Sequence, residues 1–146
     1  MGETLRLNIR SDPATLAPVR QAIERLCRRC GFDDDSVGEI GLCVNEALAN
    51  VIRHAYDGAE DRPIEVSAEC NASVVALQIR DWGNGIDPTT LPPRPPDPLR
   101  PGGLGLVCLR EMMDGVRFVP QSDGMLLEMS RNRDRPKAST AAGPSD

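Results

Sequence analysis

Aromatic residues are nearly missing from this chain, with one Trp, one Tyr and two Phe among 146 residues. Its core must therefore be aliphatic, built from Leu, Val, Ile, Ala and Met. Basic charge is also short: 17 Lys and Arg against 22 Asp and Glu leave a net charge of −5. That balance argues against direct nucleic-acid binding, which needs a basic footprint. No apolar run approaches the roughly 18 residues of a membrane-spanning helix, and no signal-peptide pattern opens the sequence. The expectation is a cytoplasmic protein without a membrane partner. Five cysteines, an odd number, suit a reducing compartment better than a disulfide framework. Cys27 and Cys30 make a CxxC, but no second pair stands at zinc spacing, and on a helix they are plain i,i+3 neighbours. With 40% apolar and 27% charged residues, the composition is that of an ordinary globular domain.

What is present is organised around one stretch, Asp35 to Tyr56, DSVGEIGLCVNEALANVIRHAY. Ser36 followed by Glu39 forms a capping-box pattern at a helix start. Beyond it Val37, Ile40, Val44, Leu48, Val51 and Ala55 recur at three- and four-residue steps and line one helix face. Glu46 and Asn50, four apart, stand one above the other and point well over ~90° from that stripe. A carboxylate and an amide oxygen aimed together suit two tasks, ordering a hydroxyl or water and ligating a hard cation such as Mg²⁺. A solvated helix face is the plainer alternative for the pair taken alone.

Residues 3–9 alternate with Leu5, Leu7 and Ile9 on one side, which predicts a half-buried strand. Ser11 or Asp12 then caps a helix with Pro13 in its first turn, carrying Leu16, Val19, Ile23, Leu26 and Cys27 on its apolar face and ending at Gly31. After the long helix, Pro63–Cys70 and Ser73–Arg80 read as a hairpin turning at Asn71-Ala72. DWGNGID follows, residues 81–87, and then PTTLPPRPPDPLRP, a loop holding seven of the 13 prolines. Gly102-Gly103-Leu104-Gly105 opens another helix, with Leu106, Leu109 and Met113 apolar. Val116–Val119 and Met125–Met129 are short strands, and from Arg131 the chain is polar. The order β-α-α-β-β-loop-α-β-β predicts an α+β two-layer sandwich, a mixed, mostly antiparallel sheet under three helices. One domain, residues 1–130, is expected, with 131–146 a disordered tail.

Asp81 stands where a buried strand runs out, and its carboxylate can accept from an exocyclic amine such as that of adenine. The glycines after it allow close approach to the backbone. Free N–H groups at the helix opened by Gly102-Gly103-x-Gly105 favour a phosphate.

Taken together and in this order, NEALANVIRHAY, DWGNGID and GGLGLVCLREMMDGV resemble the N, G1 and G2 boxes of the Bergerat ATP-binding fold. DNA gyrase B, Hsp90, histidine kinases and MutL share that fold. The closer resemblance, over roughly residues 3 to 130, is to the small anti-sigma-factor serine kinases of the SpoIIAB and RsbW type. It implies ATP and Mg²⁺ as cofactors, with Asn50 ligating the metal and Glu46 as general base. Asp81 would hold the adenine amine, Gly83, Gly85 and Ile86 would shape the pocket floor, His54 its wall, and Gly103, Leu104, Gly105 and Leu106 would meet the phosphates. The proline-rich segment falls where the family has its lid. A STAS-domain antagonist is the implied substrate, a sigma factor the second partner, and a homodimer an allowed assembly.

Length separates the branches, because about 35 residues precede the long helix, too few for a histidine kinase's phosphoacceptor hairpin. Two departures stand out. Arg100 precedes Pro101 one residue early for an arginine facing the γ-phosphate, and Gly124 is followed by Met125 and Leu126 where the family has Gly-Thr. The competing reading is an interaction module, with or without nucleotide, that sequesters a regulatory partner without kinase activity.

Overall fold

The computed structural model describes residues 2–83 and 105–134. Gly85, Ile86, Gly103, Leu104, Arg100 and the whole proline-rich segment lie outside the described residues. Five strands, β1 (Glu3–Arg10), β2 (Pro63–Cys70), β3 (Val74–Asp81), β4 (Gly115–Gln121) and β5 (Gly124–Asn132), form one sheet in the order β1-β2-β3-β5-β4. Helices α1 (Leu16–Arg29), α2 (Asp34–Asn50) and α3 (Gly105–Met112) complete the α+β sandwich.

Every adjacent strand pair is antiparallel, so the expected mixed sheet is corrected to a uniform one. The cause lies in the connections. Two helices between β1 and β2 return the chain to its starting end, which sets these strands antiparallel. A single helix links β3 to β4 and makes them run the same way, but β5 inserts between them as partner of both. The inner sheet face presents Ile64, Val66, Ala68, Val75, Leu77, Ile79, Leu127 and Met129, all buried against the helices. Strand alternation sends every second residue to that face.

Helix α2 is the centre of the molecule. Val37, Ile40, Val44 and Leu48 are fully buried as the stripe requires, but so are Cys43, Glu46 and Ala47 outside it. The reason is that α1 and α3 both pack on α2, which already lies on the sheet. At Val51 the helix widens into a π turn, Val51–Ala55, where the sequence predicts continuous α-helix. Apolar steps of four, three and four residues fit either form.

The capping expectation is also corrected. Asp33 caps α2, its side chain accepting from the Ser36 N–H at 2.8 Å. Ser36 and Glu39 instead hold Arg131. The guanidinium Nη2 donates to Ser36 Oγ at 3.1 Å, while Nη1 reaches Glu39 Oε1 at 2.8 Å and donates to the Met112 carbonyl at 2.6 Å. Arg131 is 3% exposed and belongs to β5, so the expected boundary at residue 130 falls inside a strand. This one side chain joins the start of α2, the end of α3 and β5. Arg131→Met is expected to lower unfolding free energy by about 1–3 kcal/mol, the range for stranded polar partners. Arg28→Met, at an exposed guanidinium, should change it by less than about 0.5 kcal/mol. Urea denaturation of the two variants checks this; equal midpoints would contradict it.

Candidate functional site

Alternation along β3 places Val75, Leu77, Ile79 and then Asp81 on the helix-facing side. Asp81 thus extends an apolar row with a carboxylate that is only 3% exposed. Backbone N–H groups of Gly83, at 3.0 Å, and of Met125 donate to it. Burial still pushes its carboxyl above the ordinary carboxylate value, outweighing those bonds and nearby Arg80.

Two glycines let the backbone close around this carboxylate. A Cβ on Gly83 would overlap the carbonyl of Ala55, where the π turn meets the strand end. Gly124 has φ +131°, and a side chain there would run into the Asp81 carbonyl. Tyr56 fixes the same corner: its hydroxyl donates to the Pro63 carbonyl at 2.6 Å and accepts from the Trp82 N–H at 2.8 Å. Gly83→Ala should cost about 1–3 kcal/mol of stability, as overpacking against a backbone carbonyl does. Gly38→Ala, on α2 with open space around it, should instead gain about 0.5–1 kcal/mol from helix propensity. Thermal melts of both variants test the pair of signs; a Gly83→Ala protein as stable as wild type would contradict the packing.

Between α2 and the sheet lies a narrow cleft, with a cavity of about 20 Å³ between its walls. Asn50, His54 and Asp81 all line it, with Ala47, Val51 and Ala55 from the helix side and Ile79, Met125 and Leu127 from the sheet. Leu109 of α3 and Phe118 of β4 close its remaining sides. A mostly apolar cleft with a few convergent polar groups has the form of a small-molecule site. Met125 occupies a lining position, so the Gly124-Met125 departure puts a thioether where a hydroxyl was expected.

Glu46 does not line the cleft. It stands one turn before Asn50, 2% exposed, and its carboxylate meets Arg53. One guanidinium nitrogen, Arg53 Nη2, donates to Glu46 Oε2 at 3.2 Å and to Asn50 Oδ1 at 2.7 Å. Sequence reasoning missed Arg53, although it lies inside the NEALANVIRHAY stretch. Its spacing was the available signal, three residues after Asn50 and seven after Glu46, the same helix face. Gly105 and Leu106 form the first turn of α3; Gly85, Ile86, Gly103 and Leu104 lie outside the described residues.

The Glu46–Asn50 pair fits a hard cation by its donor chemistry. Its two oxygens converge on a single positive nitrogen, and the Asn50 amide oxygen is of the type that ligates Mg²⁺. Among the described residues, no group of three His, Cys, Asp or Glu side chains could hold a metal by itself. Mg²⁺ is commonly held in that partial way, by one or two protein oxygens together with substrate phosphates.

Comparison with known proteins agrees with the motif resemblance. A family model described as a histidine kinase-like ATPase domain matches residues 9–131. The chain belongs to the histidine kinase-like ATPase domain family. A serine-protein kinase RsbW from Oceanobacillus iheyensis is 25% identical over 135 residues, 87% of this chain and 85% of that protein. The serine-protein kinase RsbW of Halalkalibacterium halodurans is 28% identical over 137 residues, 88% of this chain and 83% of that one. Among solved structures, the RsbU and RsbW domains of a Mycobacterium tuberculosis protein share the fold, with a TM-score of 0.67 at 16% identity. That match covers 92% of this chain and 33% of the tuberculosis chain, so this family member spans about a third of it. No helix among the described residues is long and apolar enough to cross a membrane.

Proposed function

We propose that this chain is an ATP-dependent protein kinase that phosphorylates serine or threonine on a STAS-domain antagonist, with a sigma factor as its second binding partner. The observation that carries the reading is the coupling of two sites on one helix. Asn50 opens into the cleft that ends at the buried Asp81 carboxylate, and Glu46 stands directly behind Asn50, sharing a cation with it. The likeness to serine-protein kinases over most of their length supports the choice of acceptor.

Phosphoryl transfer asks little covalent chemistry of the protein, so positioning and charge do the work. Asp81 accepts from the adenine amine and sets the depth of the base. The apolar walls, Ile79, Met125 and Leu127, bury its faces. Asn50 would hold Mg²⁺, which when bound supplies charge neutralisation on the phosphates. The first turn of α3 directs backbone N–H groups at the phosphate end. Glu46 takes the proton from the incoming hydroxyl as its oxygen attacks the γ-phosphorus, and the bond to the bridging oxygen breaks to release ADP.

The test is to incubate the protein with γ-labelled Mg-ATP and a STAS-domain protein encoded beside it, then map the label. Label on a serine or threonine of the STAS protein is expected. Tight complex formation with that protein and no transfer would replace the kinase reading with a sequestering module.

A further inference from the structure

Arg53 is the one element of the site that neither the motifs nor the proposed chemistry uses, and its placement has a consequence. Its Nη2 bridges the oxygen that would hold the metal and the candidate base, 2.7 Å from Asn50 and 3.2 Å from Glu46. Glu46 is almost wholly buried and, among the described residues, has no other cationic partner. A buried carboxylate needs such a partner, which explains why the guanidinium sits there. Arg53 itself is only partly buried. Its side chain is 34% exposed, its buried Nε has no hydrogen-bond partner, and its backbone lies in the π turn rather than in regular helix. A partly exposed side chain on a wide turn has room to reach solvent.

We propose that Arg53 is a resident cation on the Asn50 oxygen that the metal of a metal–nucleotide complex takes, so that metal entry and Arg53 departure are one event. The inference rests on the kinase reading of this cleft and adds a regulatory element to it. While Arg53 is in place, it engages the Glu46 oxygen and the Asn50 oxygen with one nitrogen. The base is masked and the metal ligand is occupied. When Mg-nucleotide enters, the metal's charge replaces the guanidinium charge beside Glu46. Arg53 swings towards solvent, and the carboxylate is free to accept the proton of a hydroxyl. Without the metal the base thus stays covered, and a nucleotide alone leaves it covered.

The experiment compares wild type, Arg53→Met and Arg53→Lys. Met keeps the apolar stem and removes the charge; Lys keeps the charge on a single compact nitrogen. ATP affinity is measured by calorimetry with excess EDTA and again with saturating Mg²⁺, and the ratio of the two constants reports how strongly the metal is coupled. Arg53 opposes metal entry, so the ratio should rise roughly tenfold in Arg53→Met, the scale of one charge-assisted hydrogen bond. Arg53→Lys should fall between. Millimolar Mg²⁺ without nucleotide should also raise the melting temperature of Arg53→Met while leaving wild type unchanged, a readout that needs neither ATP nor turnover. If Arg53→Met weakens ATP equally in both conditions, the residue is a phosphate ligand or a structural support and the proposal is overturned. An unchanged ratio with folded protein overturns it too. If Arg53→Met does not fold, an Arg53→Lys ratio equal to wild type does the same. Absence of ATP binding by wild type would instead sink the underlying nucleotide reading.

Discussion

Glu46→Gln should abolish phosphoryl transfer while ATP remains bound. The amide has nearly the same shape and keeps α2 packed, but it cannot take a proton from a serine hydroxyl. Loss of a general base is expected to slow transfer by about 10²–10⁴. The variant must also leave Arg53 with a neutral partner, so some stability is lost, because a cation facing a carboxylate is held more strongly than one facing an amide. ATP affinity should stay within a few-fold, since Glu46 does not line the cleft. Single-turnover transfer to the STAS protein, with calorimetry on the same sample, separates the two effects. Transfer at the wild-type rate would remove Glu46 from the mechanism.

The second large effect belongs to Asp81. Asp81→Asn replaces two carboxylate oxygens that receive the Gly83 and Met125 N–H groups with one oxygen and one donor. That donor would face the adenine amine, itself a donor. The mismatch should weaken ATP binding by about 1–3 kcal/mol, roughly 5- to 150-fold. A pH dependence goes with it. Burial raises the Asp81 carboxyl above its ordinary 3.8, so the folded protein holds this proton more tightly than the unfolded chain. Its contribution to stability is present below the unfolded value and is lost as pH rises through the raised folded value. Nucleotide needs the opposite form. Affinity should therefore fall as pH drops through the raised value, earlier than an ordinary carboxylate would cause, and Asp81→Asn should lack that component. Equal affinities and equal pH profiles for variant and wild type would place the adenine elsewhere.

Much of this architecture was legible because two periods were clear. Alternation marked β2 and β3 as strands, and the structure carries that period one step further to put Asp81 on the helix-facing side. The apolar stripe of α2 was read correctly at every named position. The burial of Glu46 was not legible, since a stripe describes one packing surface and α2 has three. Ser36 and Glu39 match a local capping signature, yet they serve Arg131, which stands 95 residues from Ser36 in sequence. No short-range pattern carries such a partner. The same blind spot assigned Arg131 to a polar tail, because a buried arginine looks like a surface one until its acceptors are known. Arg53 escaped for a related reason: the motif names the residues that face a ligand, while the guanidinium answers to Glu46 and Asn50 within the helix itself.

The central claim, that the cleft between α2 and the sheet binds ATP with Mg²⁺, is tested most directly by titrating Mg-ATP into the folded wild-type protein in a calorimeter. A saturable heat with one site per chain, weakened in Asp81→Asn and reduced when Mg²⁺ is chelated, is the predicted result. No heat at millimolar Mg-ATP, from protein whose melting transition shows it to be folded, would contradict the account.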